Sequence, residues 1–455
     1  MCLPDSVQPM AFASLMCSPD ETRNHKAFHR INPDSGATEL KEEFEAMDGL
    51  SRRKMLFASG ALGAFGALSM ASPARARSLW TWAPSGSVAG EGAGLDPEWV
   101  WDEEADQLVA AVIRRGDVPK VNEALRTWKR NDQPLPAGLP ADLRDFMEKA
   151  RRLPSWADRN ELETAAGFNK SRGLYLNLLN GVGGGMLSTA IPREARAVYY
   201  SKGGADMEDR VAKTSMLGFA VGDLNAYRPD GDVIVQAVKT RLVHSAVRHL
   251  LPQSPGWEQT SGGQRIPISQ QDMLVTWHSL PTYAMRKMRE WKVPITSAES
   301  VAYLHVWQVT AHLLGIRDEY IPATWDAADS QSEQVLDPIL APTREGVELT
   351  DILLRQLAEQ TSPGGMDRPL VDALARYLVG DQVADWDGIP REPFWEKAIE
   401  TAWPKLVAFR EKLIPLPMVP PLAWTIDEAV RKYILFYLTK GQGTHIEIPE
   451  TNRPG

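Results

Sequence analysis

From Glu103 to near the C-terminus, apolar residues recur at the three-and-four spacing of a helix, and strict alternation is almost absent. The spacing predicts helices over 103–115, 121–130, 141–152, 206–221, 233–251, 268–291, 300–314, 349–360, 369–379, 395–414 and 426–439. Proline and glycine punctuate the gaps, as in Pro252-Gln253-Ser254-Pro255-Gly256 and Ser362-Pro363-Gly364-Gly365. Residues 445–448, His-Ile-Glu-Ile, are the one fair strand candidate. The expected architecture is all-α, a single large helical domain over 98–455, with an extended arm over 77–97. A chain of 455 residues can bury such a core without disulfides or a structural metal. Its 15 tryptophans supply apolar area for that core, or for an apolar ligand. A net charge of −9 lacks the basic field of a nucleic-acid surface.

The N-terminal region reads as an export signal. Ser51-Arg52-Arg53-Lys54-Met55-Leu56-Phe57 is a twin-arginine pattern, followed by a small-residue apolar run over 58–70 and then Ala74-Arg75-Ala76, a cleavage-site pattern. The apolar run falls short of the roughly 20 residues of a membrane-spanning helix. We therefore assign 47–76 as a twin-arginine signal peptide, with the periplasm or the medium as destination. Residues 1–46 are expected to be an untranslated or disordered leader, because Met47 gives the signal an ordinary start. The only cysteines, Cys2 and Cys17, fall in that leader. The mature chain would then have no disulfide, no iron–sulfur cluster, no thiolate-ligated haem and no c-type haem attachment.

Six histidines remain after the leader: His244, His249, His278, His305, His312 and His445. His305 and His312 share a helical face but lack H-E-x-x-H spacing, and His278 lies in an apolar helix. Satisfied core histidines are the ordinary reading of all three. His249 is near a helix C-terminus and suits its dipole, and His445 is expected to be exposed. His244 differs, because Arg241, His244 and Arg248 share one face at i, i+3 and i+7. An imidazole in that setting suits haem iron, with an arginine for a propionate, or else is an ordinary helix-face histidine. Arg210, Lys213 and Thr214 converge similarly, either as a cofactor-facing cluster or as a surface helix with an Asp209–Lys213 ion pair. Glu194 follows Pro192, which suits the first position of a helix. There it either complements the helix dipole or is a base in an apolar pocket. The run Gly181-Val182-Gly183-Gly184-Gly185-Met186 fails as a nucleotide loop, since Met186 replaces the third glycine and no strand precedes it. It reads as a close helix–helix approach or a turn.

The run Arg210-Val211-Ala212-Lys213-Thr214-Ser215, then His244-Ser245-Ala246-Val247-Arg248-His249-Leu250-Leu251-Pro252, with Glu194 upstream, resembles the latex clearing proteins, secreted bacterial rubber oxygenases. The resemblance extends over most of the mature chain, and the 305–316 segment resembles their wider family. It implies a globin-like helical core holding one haem b, with His244 as the proximal iron ligand. Lys213 would sit on the distal side as a sixth ligand, its amine kept neutral by burial. Glu194 would be the base that takes an allylic proton, and Arg210 and Thr214 would position it and the haem pocket. The implied substrates are polyisoprene and O2, the products isoprenoids with one aldehyde and one ketone end, and the protein a monomer. Three alternatives stay open at this point. They are a haem oxygenase or peroxidase of the same fold acting on another apolar substrate, a non-catalytic haem or O2-binding protein, and a non-haem metal protein using His305 and His312.

Overall fold

The computed structural model describes residues 79–81, 86–202, 206–261, 263, 266–360, 367–416, 418–438 and 445–453. The leader, the signal segment 47–76 and both cysteines lie outside the described residues. Local chemistry explains the helix ends. Glu103–Arg115 carries Glu103, Glu104 and Asp106 in its first turn and Arg114 and Arg115 in its last, complementing the backbone dipole. Gly116 closes it at φ 70°, a left-handed conformation that glycine adopts without strain. Ser297–Leu313 opens with a capping box between Thr296 and Glu299. Both segments were readable from periodicity, and so was Val233–Leu250.

Among the described residues the regular structure is helical apart from two three-residue strands, so the all-α expectation holds. Val233–Leu250 packs against both Glu103–Arg115 and Ser297–Leu313. The first contact is tied by two ion pairs, Arg241 to Asp102 (3.0 Å, Nη2 to Oδ1) and Arg248 to Asp106 (2.7 Å). One large apolar core includes Trp128, Phe168, Tyr175, Tyr303 and Tyr320, all essentially inaccessible.

The long helix Arg159–Asn177 escaped the periodicity reading. Its buried positions include Asn169, Arg172 and Gly173 beside Leu162, Phe168 and Tyr175, so no clean apolar stripe marks it. It packs against both Ser297–Leu313 and Val419–Leu438, and a helix covered on several sides loses its amphipathic signature. Its backbone continues through a π-helical turn, Leu178–Gly183, into Gly184–Thr189. A second π-helical turn, His278–Thr282, interrupts the predicted 268–291 helix, where Pro281 supplies no N–H to the ladder. The two π turns meet at the glycine run. A Cβ on Gly183 would lie 2.7 Å from the Tyr283 ring, and one on Gly184 would lie 2.8 Å from Leu280. The glycines are there for close approach.

Two strand expectations need correction. The 77–97 arm contains an antiparallel pair, Leu79–Thr81 with Ala93–Leu95, in register Trp80 to Gly94. Residues 445–449, by contrast, form no strand. The Asn122 side chain, not a neighbouring strand, brackets Ile448, donating to its carbonyl (3.0 Å) and accepting from its N–H (2.9 Å). His445 is half-buried rather than exposed.

Candidate functional site

Glu194 occupies the first turn of Pro192–Tyr200, with Pro192 at the N-terminal position where its missing N–H costs nothing. A carboxylate there would normally be favoured by the dipole. Instead its pKa is pushed up to about 8, chiefly by desolvation and further by the nearby Asp272 carboxylate, against the Thr276 hydroxyl and the Arg210 charge. Desolvation outweighs the dipole, and at neutral pH Glu194 is mostly the neutral acid. The sequence left open a dipole role or a base in an apolar pocket, and burial of the carboxyl is what the second requires.

Three contacts hold that carboxyl in place. Arg193, its neighbour, pairs with Asp272 at 2.8 Å. Asp272 closes a capping box with Ser269 at the start of Gln270–Trp277. One turn on, the Thr276 hydroxyl donates to Glu194. The Arg193–Asp272 pair thus docks one helix on the other in the register that puts Thr276 against Glu194. Neither Asp272 nor Thr276 was found from sequence. The Ser269-x-x-Asp272 cap was legible as a helix start, but nothing local connects 269–276 with 192–194.

Arg210 lies near the beginning of Met207–Val221, whose N-cap Asp206 accepts from the Asp209 N–H. Desolvation lowers the guanidinium pKa, and Glu194 raises it in part. On Val233–Leu250, His244 has its pKa lowered to about 3, first by desolvation and then by Arg248 and Arg210. The structure therefore brings Glu194, Arg210 and His244 within electrostatic reach of one another, from three separate helices. Each keeps some accessible surface although desolvation is the leading cause of its shift. Lys213 takes the other course. Its Nζ pairs with Asp209 at 2.6 Å, and the side chain is partly exposed. Thr214 is exposed, and the hydroxyl at Glu194 is that of Thr276.

These residues suit a haem held from one side. Burial holds the His244 pKa down to about 3, so the imidazole is neutral as a metal ligand must be, and its Nδ1 has no hydrogen-bond partner within the protein. The flanking guanidiniums, Arg241 and Arg248, are engaged by Asp102 and Asp106. Competing histidines are satisfied within the protein. His278 contacts Thr282 (2.9 Å) and Gln331 (2.8 Å), His305 accepts from the Asp158 N–H (2.9 Å), and His312 meets Asp318 (2.6 Å). Among the described residues, no three His, Cys, Asp or Glu side chains gather as a metal site. A metal centre built on His305 and His312 has no third ligand there.

A family model described as ER-bound oxygenase mpaB/B'/Rubber oxygenase, catalytic domain, matches residues 172–409, a span that contains every site residue above. The rubber oxygenase of Streptomyces sp. (strain K30) is 62% identical over 408 residues, covering 90% of this chain and 100% of that relative. A solved structure of a latex clearing protein in the closed state matches with a TM-score of 0.73 at 62% identity, covering 81% of this chain and 99% of that chain. The chain belongs to the rubber oxygenase family.

Proposed function

We propose that this chain is a haem b-dependent dioxygenase that cleaves the double bonds of cis-1,4-polyisoprene to isoprenoids with aldehyde and ketone ends. The observation that carries the reading is a desolvated carboxyl with pKa near 8, Glu194, linked through the Arg210 charge to the neutral His244. His244 would hold the iron, and the haem, when bound, supplies the centre at which O2 is activated. Glu194 would take the allylic proton of the substrate. A base is most effective when its pKa is close to the working pH, and a desolvated carboxylate is not weakened by water. Arg210 would balance the charge that remains when Glu194 ionises, since it already couples to that carboxyl. Thr276 would hold the carboxyl in one orientation. Lys213 would turn toward the haem as a ligand only by giving up Asp209, and Thr214 would share its helix face with Arg210. An apolar polymer offers no charge to recognise, so substrate selection would rest on the shape of the site. Export through the twin-arginine signal fits a substrate too large to enter a cell.

The deciding experiment is oxygen uptake by the purified protein on polyisoprene latex, with mass spectrometry of the products. Carbonyl-ended oligomers are expected. A haem-loaded protein that leaves latex untouched but oxidises short terpenes would replace polyisoprene with a small apolar substrate.

A further inference from the structure

Of the ten large apolar side chains exposed among the described residues, seven lie between Phe394 and Ile426. Over 414–426 the chain reads Ile-Pro-Leu-Pro-Met-Val-Pro-Pro-Leu-Ala-Trp-Thr-Ile, with no Asp, Glu, Lys or Arg. In a chain that is 24% charged, such a surface run stands out. Met418, Leu422 and Ile426 recur every four residues, and so share one side of the helix Val419–Leu438. Their exposures are 78%, 61% and 56%. Leu416 on the preceding turn and Phe409 on Pro393–Leu413 are exposed as well. Scattered exposed leucines need no explanation, but a concentration of this kind marks a contact surface.

The chemistry of the run narrows the partner. Without charge it has nothing to offer an ionic headgroup, a nucleic acid or an acidic peptide, and its prolines keep backbone donors few. It suits a surface that is itself without charge or hydrogen-bonding groups. Position adds a second argument: Val419–Leu438 packs against Met207–Val221, the helix that carries Arg210. The helix that begins in this run thus rests on the helix that carries Arg210.

We propose that Met418, Leu422 and Ile426, with Leu416 and Phe409, form an adsorption surface that docks the enzyme on a solid polyisoprene particle. This rests on the rubber-cleaving reading and deepens it. An insoluble substrate cannot diffuse to the enzyme, so the protein must reside on the particle while chain segments enter the site. Burying three such side chains against hydrocarbon gives residence without any specific pocket.

The test uses the full-length haem-loaded protein and the variant Met418→Gln, Leu422→Gln, Ile426→Gln. Cosedimentation with polyisoprene latex is measured without O2, so that binding is read apart from turnover. Turnover of a short, detergent-dispersed isoprenoid and the oligomeric state are measured in parallel. The expected result is an adsorption constant about tenfold or more lower for the variant, because three apolar side chains no longer leave water for hydrocarbon. Activity on the short isoprenoid and the oligomeric state should not change. Equal adsorption of both proteins would overturn the proposal. So would a variant that changes from dimer to monomer, which assigns the face to a second copy, or one that loses binding to neutral phospholipid vesicles but not to latex. A wild type that adsorbs but oxidises no isoprenoid would refute the oxygenase reading while leaving the adsorption surface intact.

Discussion

Glu194 sits where a sequence reader expects an anion, and the fold makes it an acid. Its pKa near 8 follows from desolvation, reinforced by Asp272 and opposed by Thr276 and Arg210. The direction has two consequences. Because the folded pKa lies above the ordinary 4.5, the fold favours the protonated form. Stability from this group is complete below about 4.5 and is lost as pH rises through about 8. A base must be ionised, so kcat/KM on an isoprenoid is expected to climb through pH 8 and level off above it. Glu194→Gln should keep haem, lower turnover about 10²–10⁴-fold and abolish that limb. Unchanged oxygen uptake by the variant would remove Glu194 from the mechanism. His244→Ala should lose the Soret band of bound haem, and a normal band would exclude His244 as the iron ligand. The family resemblance singled out Glu194, Arg210, Lys213, Thr214 and His244, of which the structure couples Glu194, Arg210 and His244. Burial, which gives each its unusual proton affinity, is set by residues remote in the chain and left no mark in the local sequence.

At the scale of elements, the two π turns matter most. Leu178–Gly183 and His278–Thr282 cross where Gly183 and Gly184 leave room for Tyr283 and Leu280. The Tyr283 hydroxyl is anchored on the Leu378 carbonyl at 3.0 Å, so its ring cannot retreat cheaply. Gly183→Ala is expected to cost about 1–3 kcal/mol through overpacking, read as a lower denaturation midpoint. Gly185 has nothing near its Cβ position, so Gly185→Ala should cost no stability and serves as the control. The crossing also orients the site, because Gln270–Trp277, which carries Asp272 and Thr276, leads directly into the second π turn. Periodicity gave this region as one uninterrupted helix. A π turn inserts a residue for tertiary reasons, so a pattern of apolar spacing has no way to show it.

The whole molecule is held by buried polar ties as well as by its apolar core. Arg172 on Arg159–Asn177 pairs with Glu411 on Pro393–Leu413 at 3.0 Å, with side-chain exposures of 6% and 9%. The Tyr175 hydroxyl donates to the same carboxylate at 3.0 Å. Removing one charge leaves the other buried without compensation. Arg172→Ala is expected to cost about 3–5 kcal/mol in chemical denaturation, and Arg172→Met with Glu411→Leu much less. Equal losses in the two variants would mean that the pair itself is strongly net stabilising.

The sequence by itself determined the helical class, the order and approximate bounds of most helices, and, through its resemblance, the family. Those properties live in short windows, where spacing of apolar groups and capping residues act over one or two turns. Tertiary structure alone decided that Arg159–Asn177 is a core helix and that Thr276 reaches Glu194. It also brought the Arg210 charge within reach of both Glu194 and His244. Desolvation and docking depend on which distant segments exclude water from a group, and that is a property of packing in three dimensions.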